Sequence, residues 1–445
     1  MRFTTLYPGL LATTTRHVIE PLLGARYLTK VDEIDRFWAL SGGEREAWRA
    51  NALDRILAYV RDQVPAYSGL LPQGDGLDLA ALPLVDKQEI FGHEHDYFSA
   101  ERESIPAIPK HTGGSTGDPW NYPLDRDAWA VAYAVQIHHL REVGVQYGDR
   151  RVTLGFPTSL GLDHNTWQKR LRLRAERTDV SLCGLEIDST TSRRRALEAC
   201  SRKAVLWYGY ASTIAAMAAA TLDGGRELVG PSVIITMAEP LWPAWKVDIE
   251  RAFGSRVIEE YGCNDGGIMA HRCRAGNLHL ADNQSIVEIL DPDGRPCPEG
   301  TDGDIVITNL HARHLPFIRY RNGDVGAFGP CPCPCGRPGR TLARVSGRTA
   351  DFIKLPDGTE LSPVTFFAAF TELSSVRRYQ IVQRESDHLQ VRLEVRPNWS
   401  ADDERLIRSW IGDRARHQLT VELVTDEPFE VTRGGKHRVI VRELA

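Results

Sequence analysis

Six consecutive residues, Thr112, Gly113, Gly114, Ser115, Thr116 and Gly117, combine three glycines with three hydroxyl side chains. Glycines carry no Cβ, so backbone N–H groups can approach a ligand closely, and the hydroxyls add donors. The stretch reads as a phosphate-binding loop. It is not a Walker loop, because Asp118 and Pro119 stand where that pattern needs a lysine and a hydroxyl. A second group of residues suits a metal. Of the eight cysteines, Cys183, Cys200, Cys263 and Cys297 are scattered, while the rest cluster in HRCRAGNLH and PCPCPCG. Cys273, His279, Cys333 and Cys335 form a Cys₃His set able to close tetrahedrally on Zn²⁺, with Cys331 and His271 as competing ligands. Four protein ligands leave no open position, so such a site would be structural.

These residues need a scaffold, and the flanking patterns describe one. RDAWAVAYAVQIHHLREVG has apolar residues at helical spacing and RRVTLGFP follows as a strand. KAVLWYGYAS, PSVIITMAEP and the helical TIAAMAAATL and WPAWKVDIERAFG repeat the alternation, which implies parallel sheets covered by helices. From Gln284 onward, SIVEIL, GDIVITNL and FIRYR predict short strands of a smaller β unit packed on that α/β body. After GRTADFIKLPDGTELSP a hairpin in RRYQIVQRESDHLQVRLEV and a helix in ADDERLIRSWIGDRARHQL predict a compact C-terminal domain behind a hinge.

Composition sets outer limits. At 445 residues, 42% hydrophobic and 25% charged, the chain is long enough for more than one core. A net charge of −5 argues against a nucleic-acid partner. Pro8, Arg16 and Glu20 break the opening segment too often for a signal peptide or membrane helix, so a cytoplasmic protein with reduced thiols and no transmembrane segment is expected. With 46 arginines and only eight lysines, a lysine inside a motif is less a product of chance.

Six stretches in one order resemble the adenylate-forming enzymes, specifically the phenylacetate–coenzyme A ligase-like branch with its CapK-like capsule-biosynthesis ligases. HTGGSTGDP is similar to their phosphate loop, TMAEPL to the adenine-contacting turn, EEYGCNDGG to the Tyr-Gly-x-Thr-Glu motif, and RYRNGDVG to the ribose-binding motif. GRTADFIKLPDGTELSP is similar to their hinge and TRGGKHRVIV to the C-terminal lysine motif. The resemblance implies an α/β fold with a large N-terminal adenylation domain, residues 1–347, and a small mobile α+β lid, residues 348–445. It implies ATP-dependent conversion of a small-molecule carboxylic acid to acyl-AMP and pyrophosphate, followed by transfer to an acyl acceptor. Coenzyme A leads, an amine is the alternative, and a nucleophile such as nitrite comes third. An inactive nucleotide-binding module is the reading from another class.

Residue by residue, the resemblance places Thr112 to Gly117 on the β- and γ-phosphates, Tyr261, Gly262 and Glu239 at adenine, and Asp324 on the ribose hydroxyls. Asp265, beside Asn264, would help hold Mg²⁺, although the family usually has glutamate there. Arg348 resembles the hinge arginine that reaches the nucleotide, while Ala350 stands where the first of two hinge aspartates is common and Asp351 fills the second place. Lys436, behind two glycines, would deliver its ammonium to the carboxylate and α-phosphate oxygens. Phe156, Tyr208 and Tyr210 are expected to line the acid pocket. Oligomeric state is not legible.

Overall fold

The computed structural model describes residues 11–444 except 73–77, 112–119, 156–166, 183–188, 226, 264, 268, 349–350, 362–365, 367–369, 371–372, 374 and 432–436. The glycine loop Thr112–Gly117, Phe156, Asn264 and Lys436 lie outside the described residues.

The strand–helix alternation builds the body as expected. Thr178–Leu182, Arg151–Gly155, Leu206–Tyr210, Val233–Met237 and Arg256–Gly262 lie side by side in that order, each parallel to the next. Such strands are apolar along their length because helices cover both faces; four of five residues in Leu206–Tyr210 and in Val233–Met237 are buried. The helices Ser189–Ser201, Ala211–Asp223 and Pro243–Phe253 pack together over Trp207, Ile234 and Val257, and the alanines of the middle helix let its neighbours approach closely. Strand order reverses beside Arg151–Gly155, since the next strand lies on one side and the one after it on the other. In open α/β sheets such a switch leaves a crevice at the carboxyl ends of the strands. Here those ends lead into residues 156–166, 211–212, 238–239 and 263–265.

The β unit is not a separate layer packed on this body but a continuation of the same sheet. Arg256–Gly262 pairs in parallel with Val233–Met237 through its first four residues, and antiparallel with Met269–Arg272 through its last three. Met269–Arg272 thus runs back along the strand's open edge and satisfies hydrogen-bonding groups that would otherwise be unpaired. Leu278–Leu280, Thr341–Arg348, Tyr320–Phe328, Gly303–Asn309 and Ser285–Leu290 follow in antiparallel order. Val85–Asp86 joins Tyr320–Phe328 in parallel. The hairpin Ala107–His111 and Asn121–Asp125 carries the glycine stretch as its connection. Helix Arg126–Glu142 then runs to the body, where it packs on Tyr27–Ala39.

Residues 353–442 form a sheet and core of their own. The expected hairpin is Val376–Glu385 with His388–Val395, flanked in parallel by Thr420–Val424 and Ile440–Arg442. Helix Ala401–Arg414 opens with a capping box between Ser400 and Asp403 and buries Ile407 and Ile411 against Ile381, Leu389 and Val391. Among the described residues no helix is long and apolar enough to cross a membrane.

Candidate active site and metal centre

Asp324 sits mid-strand, paired in register with Arg348, and the carboxylate is buried at 7% exposure. Three strands separate its strand from the one bearing Tyr261. A flat sheet would hold them roughly 19 Å apart, yet the Tyr261 hydroxyl donates to Asp324 Oδ2 at 2.7 Å. The antiparallel half therefore curls back on the parallel half. Asn322 ties the pair together, its Nδ2 donating to Tyr261 Oη at 3.0 Å and to Asp324 Oδ2 at 2.9 Å. Arg348 Nε meets Asp324 Oδ1 at 3.2 Å. Burial works against the Arg348 cation, but the charges of Asp324 and Asp265 outweigh it and hold its pKa above the ordinary value. Asn322 carried no expectation from the sequence; its spacing two residues before Asp324 was the available signal.

Asp265 follows the turn after Arg256–Gly262. The Cys263 thiol donates to its Oδ1 at 2.9 Å and the Tyr320 hydroxyl to its Oδ2 at 2.8 Å. Burial, then the neighbouring Asp265, pushes the Cys263 pKa up, so the thiol stays protonated and serves as a donor. The turn is fixed from behind, where Asn309 Nδ2 donates to the Gly266 carbonyl at 3.0 Å. Gly267, at φ +71°, admits no side chain, because a Cβ there would lie 2.5 Å from Asn309 Nδ2.

The turn after Val233–Met237 has Ala238 in the left-handed region at φ +64°. It aims Glu239 at backbone amides: Oε2 accepts from Ser212 N at 2.9 Å and Oε1 from His437 N at 2.7 Å. His437 belongs to the C-terminal unit, and further bonds cross the same boundary. Trp245 Nε1 donates to the Arg377 carbonyl at 2.7 Å, and Arg377 and Arg396 pair with Asp223 and Asp248. Asp351 lies nearby, and burial pushes its carboxyl up to about 6 against the charges of Arg438 and Arg348.

Tyr208 is half-buried and donates to Glu260, whose other oxygen meets His271 Nε2 at 2.7 Å. Tyr210 is 1% exposed and stands at the start of helix Ala211–Asp223.

The proposed metal ligands come together. The ligating atoms of Cys273, His279, Cys333 and Cys335 all lie within 4.8 Å of one another. Cys273 Sγ and Cys333 Sγ are 3.8 Å apart, close to the separation of about 3.8 Å that two Zn–S bonds of about 2.3 Å make at a tetrahedral angle. Asn277 Nδ2 donates to Cys333 Sγ at 3.4 Å and Arg337 N to Cys335 Sγ at 3.4 Å, bonds that favour thiolates. His279 Nδ1 meets the Pro338 carbonyl at 3.3 Å, which leaves Nε2, 3.2 Å from Cys335 Sγ, as the ligating nitrogen. Burial and then Arg337 hold this imidazole down to about 4, so it is neutral. The donor set fits Zn²⁺. Of the competing residues, His271 is engaged by Glu260 and Cys331 is exposed outside the cluster.

Residues 353–443 match the CapK C-terminal domain family. The chain is 27% identical to phenylacetate-coenzyme A ligase of Thermus thermophilus over 407 residues, covering 87% of this chain and 86% of that protein. It is 22% identical to protein CapK of Staphylococcus aureus over 379 residues, 82% and 80% of the two chains. Among solved structures, 2-hydroxyisobutyryl-CoA ligase in the postadenylation state superposes with a TM-score of 0.72 at 20% identity, over 91% of this chain and 90% of that one. The same ligase in its thioesterification state gives 0.59. Sequence and fold thus agree with the motifs: over most of its length the chain resembles the phenylacetate–coenzyme A ligase and CapK branch of the adenylate-forming enzymes, and it is an acyl-coenzyme A ligase-like enzyme.

Proposed function

We propose that the protein joins a carboxylic acid to the α-phosphate of ATP, releasing pyrophosphate, and then passes the acyl group to coenzyme A. The observation that carries this reading is the hydrogen-bonded Tyr261–Asn322–Asp324–Arg348 group, built on the buried Asn322 and Asp324, which gathers three separate motifs beside the carboxyl ends of the parallel strands. Asp324 would take the ribose hydroxyls. Its Oδ2 already accepts two donors, so a ribose using both oxygens exchanges with Tyr261 or Asn322. The aromatic ring of Tyr261 would cover the adenine, with Gly262 leaving room beside it.

Thr112 to Gly117 would cradle the β- and γ-phosphates, and Asp265 with Asn264 would hold Mg²⁺. The Asp265 oxygens each accept one donor, from Cys263 or Tyr320, and their short side chain suits a contact through water. Bound there, Mg²⁺ would neutralise phosphate charge during transfer. Lys436 would stabilise the charge growing on the α-phosphate and carboxylate oxygens. Zn²⁺ on Cys273, His279, Cys333 and Cys335 would staple two loops without taking part in chemistry.

We further assign residues 1–347 to the adenylation domain and 348–445 to a lid that turns about Arg348–Asp351. The better fit to a postadenylation state than to a thioesterification state supports an adenylation-type arrangement of the two units here. Coenzyme A is favoured as acceptor because relatives over most of the chain are coenzyme A ligases. The test is a pyrophosphate-release screen over aryl, acyl and amino acids, repeated with coenzyme A. An acid-dependent release with a thioester product is expected. Amide formation without coenzyme A would overturn the acceptor, and no release with any acid would overturn adenylation.

A further inference from the structure

Glu239 was expected at the edge of the adenine, yet its carboxylate, 8% exposed, is engaged by the backbone of two distant segments. Oε2 holds the amide of Ser212 in the first turn of helix Ala211–Asp223, where the helix dipole also favours an anion. Oε1 holds the amide of His437, the residue immediately after Lys436. His437 is fixed on its other sides as well. Its imidazole, kept neutral by burial and by Arg378, which bring it down to about 3, donates from Nε2 to the Tyr379 carbonyl at 3.0 Å. Its ring lies edge-on to Trp242 at 5.8 Å and to Phe429 at 5.5 Å. Trp242 in turn stacks between Trp245 at 4.3 Å and Tyr379 at 4.5 Å, so an aromatic ladder crosses the boundary beside the carboxylate.

We propose that Glu239 is a positioning residue, a latch that seats the Lys436 loop for adenylation by capturing the His437 amide against the N-terminus of helix Ala211–Asp223. The inference rests on the assignment of Lys436 to the adenylation step. The charge matters as much as the reach. A carboxylate offers acceptors on both sides, whereas a glutamine of the same shape offers one carbonyl and must turn its NH₂ toward one of the two N–H donors. Releasing the lid for the second step then requires breaking this charge-assisted hydrogen bond together with the Trp242–Tyr379 stack, the Trp245–Arg377 bond and the ion pairs of Arg377 and Arg396.

The test uses the full chain with a non-hydrolysable ATP analogue and trypsin, since Arg433 and Lys436 are cleavage sites within the loop. Losing a hydrogen bond to a charged group should raise the exposed fraction of the loop, and with it the cleavage rate, on the order of 10- to 100-fold in Glu239→Gln. A parent-like rate overturns the latch. His437→Pro deletes the donated N–H from the other side and, scored at Arg433 because trypsin does not cleave a lysine followed by proline, should give the same phenotype, and the double variant should be no worse than either single one at that site. Additive effects would show that the two residues act independently and would overturn the proposal, even if one variant is poorly stable. With an accepted acid, adenylation by Glu239→Gln should fall by a similar factor, and by more than thioester formation from preformed acyl adenylate. Lys436→Ala, run in parallel, separates the two readings. If it adenylates normally, the lysine assignment fails; if it is crippled while Glu239→Gln adenylates and digests as the parent does, the latch fails.

Discussion

Asp324 is the residue on which the nucleotide reading turns. Asp324→Asn keeps the shape but removes the charge that orders Tyr261, Asn322 and Arg348. Hydrogen bonds to charged groups contribute about 1.5–3 kcal/mol, so ATP affinity is expected to fall on the order of 10- to 100-fold by calorimetric titration. Arg348 keeps 38% side-chain exposure, so water can replace its partner and the thermal midpoint should move little. Undiminished ATP affinity would place the ribose elsewhere. Asp324, Tyr261 and Asp265 can be named as candidates from the sequence because each stands in a short string whose residue types suit the chemistry. Asn322, Tyr320 and Cys263 cannot, since their roles exist only once strands far apart in the chain meet. Glu239 can be named as a candidate from its motif, but its partner His437 is 198 positions away, and nothing local announces that bond.

Among the elements, the loops carrying Cys273 and Cys333 offer the cleanest stability test. They are joined by weak sulfur contacts and by Arg274 donating to the Cys335 carbonyl at 3.0 Å, so a bound ion should add to their order. Purified protein is expected to hold about one zinc per chain by elemental analysis, and Cys333→Ser to lose it and melt at lower temperature. Protein free of metal when purified without chelators would contradict the assignment, and zinc retained by Cys333→Ser would bring Cys331 in as a ligand. The alternation of strands and helices was readable because buried parallel strands are apolar at nearly every position, as Val233–Met237 is. The continuity of the β unit with the body was not, because it depends on one strand pairing parallel at one end and antiparallel at the other. The N-terminal helix Gly42–Gln63 could have been found from SGGE alone, where Ser41 and Glu44 form a capping box.

At the scale of the whole molecule, the two units are held together by Glu239, the Trp242–Tyr379 stack and the ion pairs of Arg377 and Arg396. Asp351 adds a pH dependence. Its carboxyl titrates near 6 in this arrangement against an ordinary 3.8, so between those values this arrangement binds the extra proton. Its stability is therefore greatest below pH 3.8 and declines as pH rises toward 6, by at most on the order of 2–3 kcal/mol. Asp351→Asn should remove that decline and favour the closed arrangement at pH 8, read as slower tryptic cleavage at Arg433 and Lys436. A variant with the parent's pH dependence would assign the titration to another group.

The most direct measurement of the central claim is exchange of labelled pyrophosphate into ATP, run with a panel of carboxylic acids and no acyl acceptor. Exchange that depends on one class of acid, and that falls on the order of 10²–10³-fold in Lys436→Ala while ATP binding persists, is the result this structure predicts. Exchange that occurs equally without any acid, or that survives undiminished in Lys436→Ala, would contradict it.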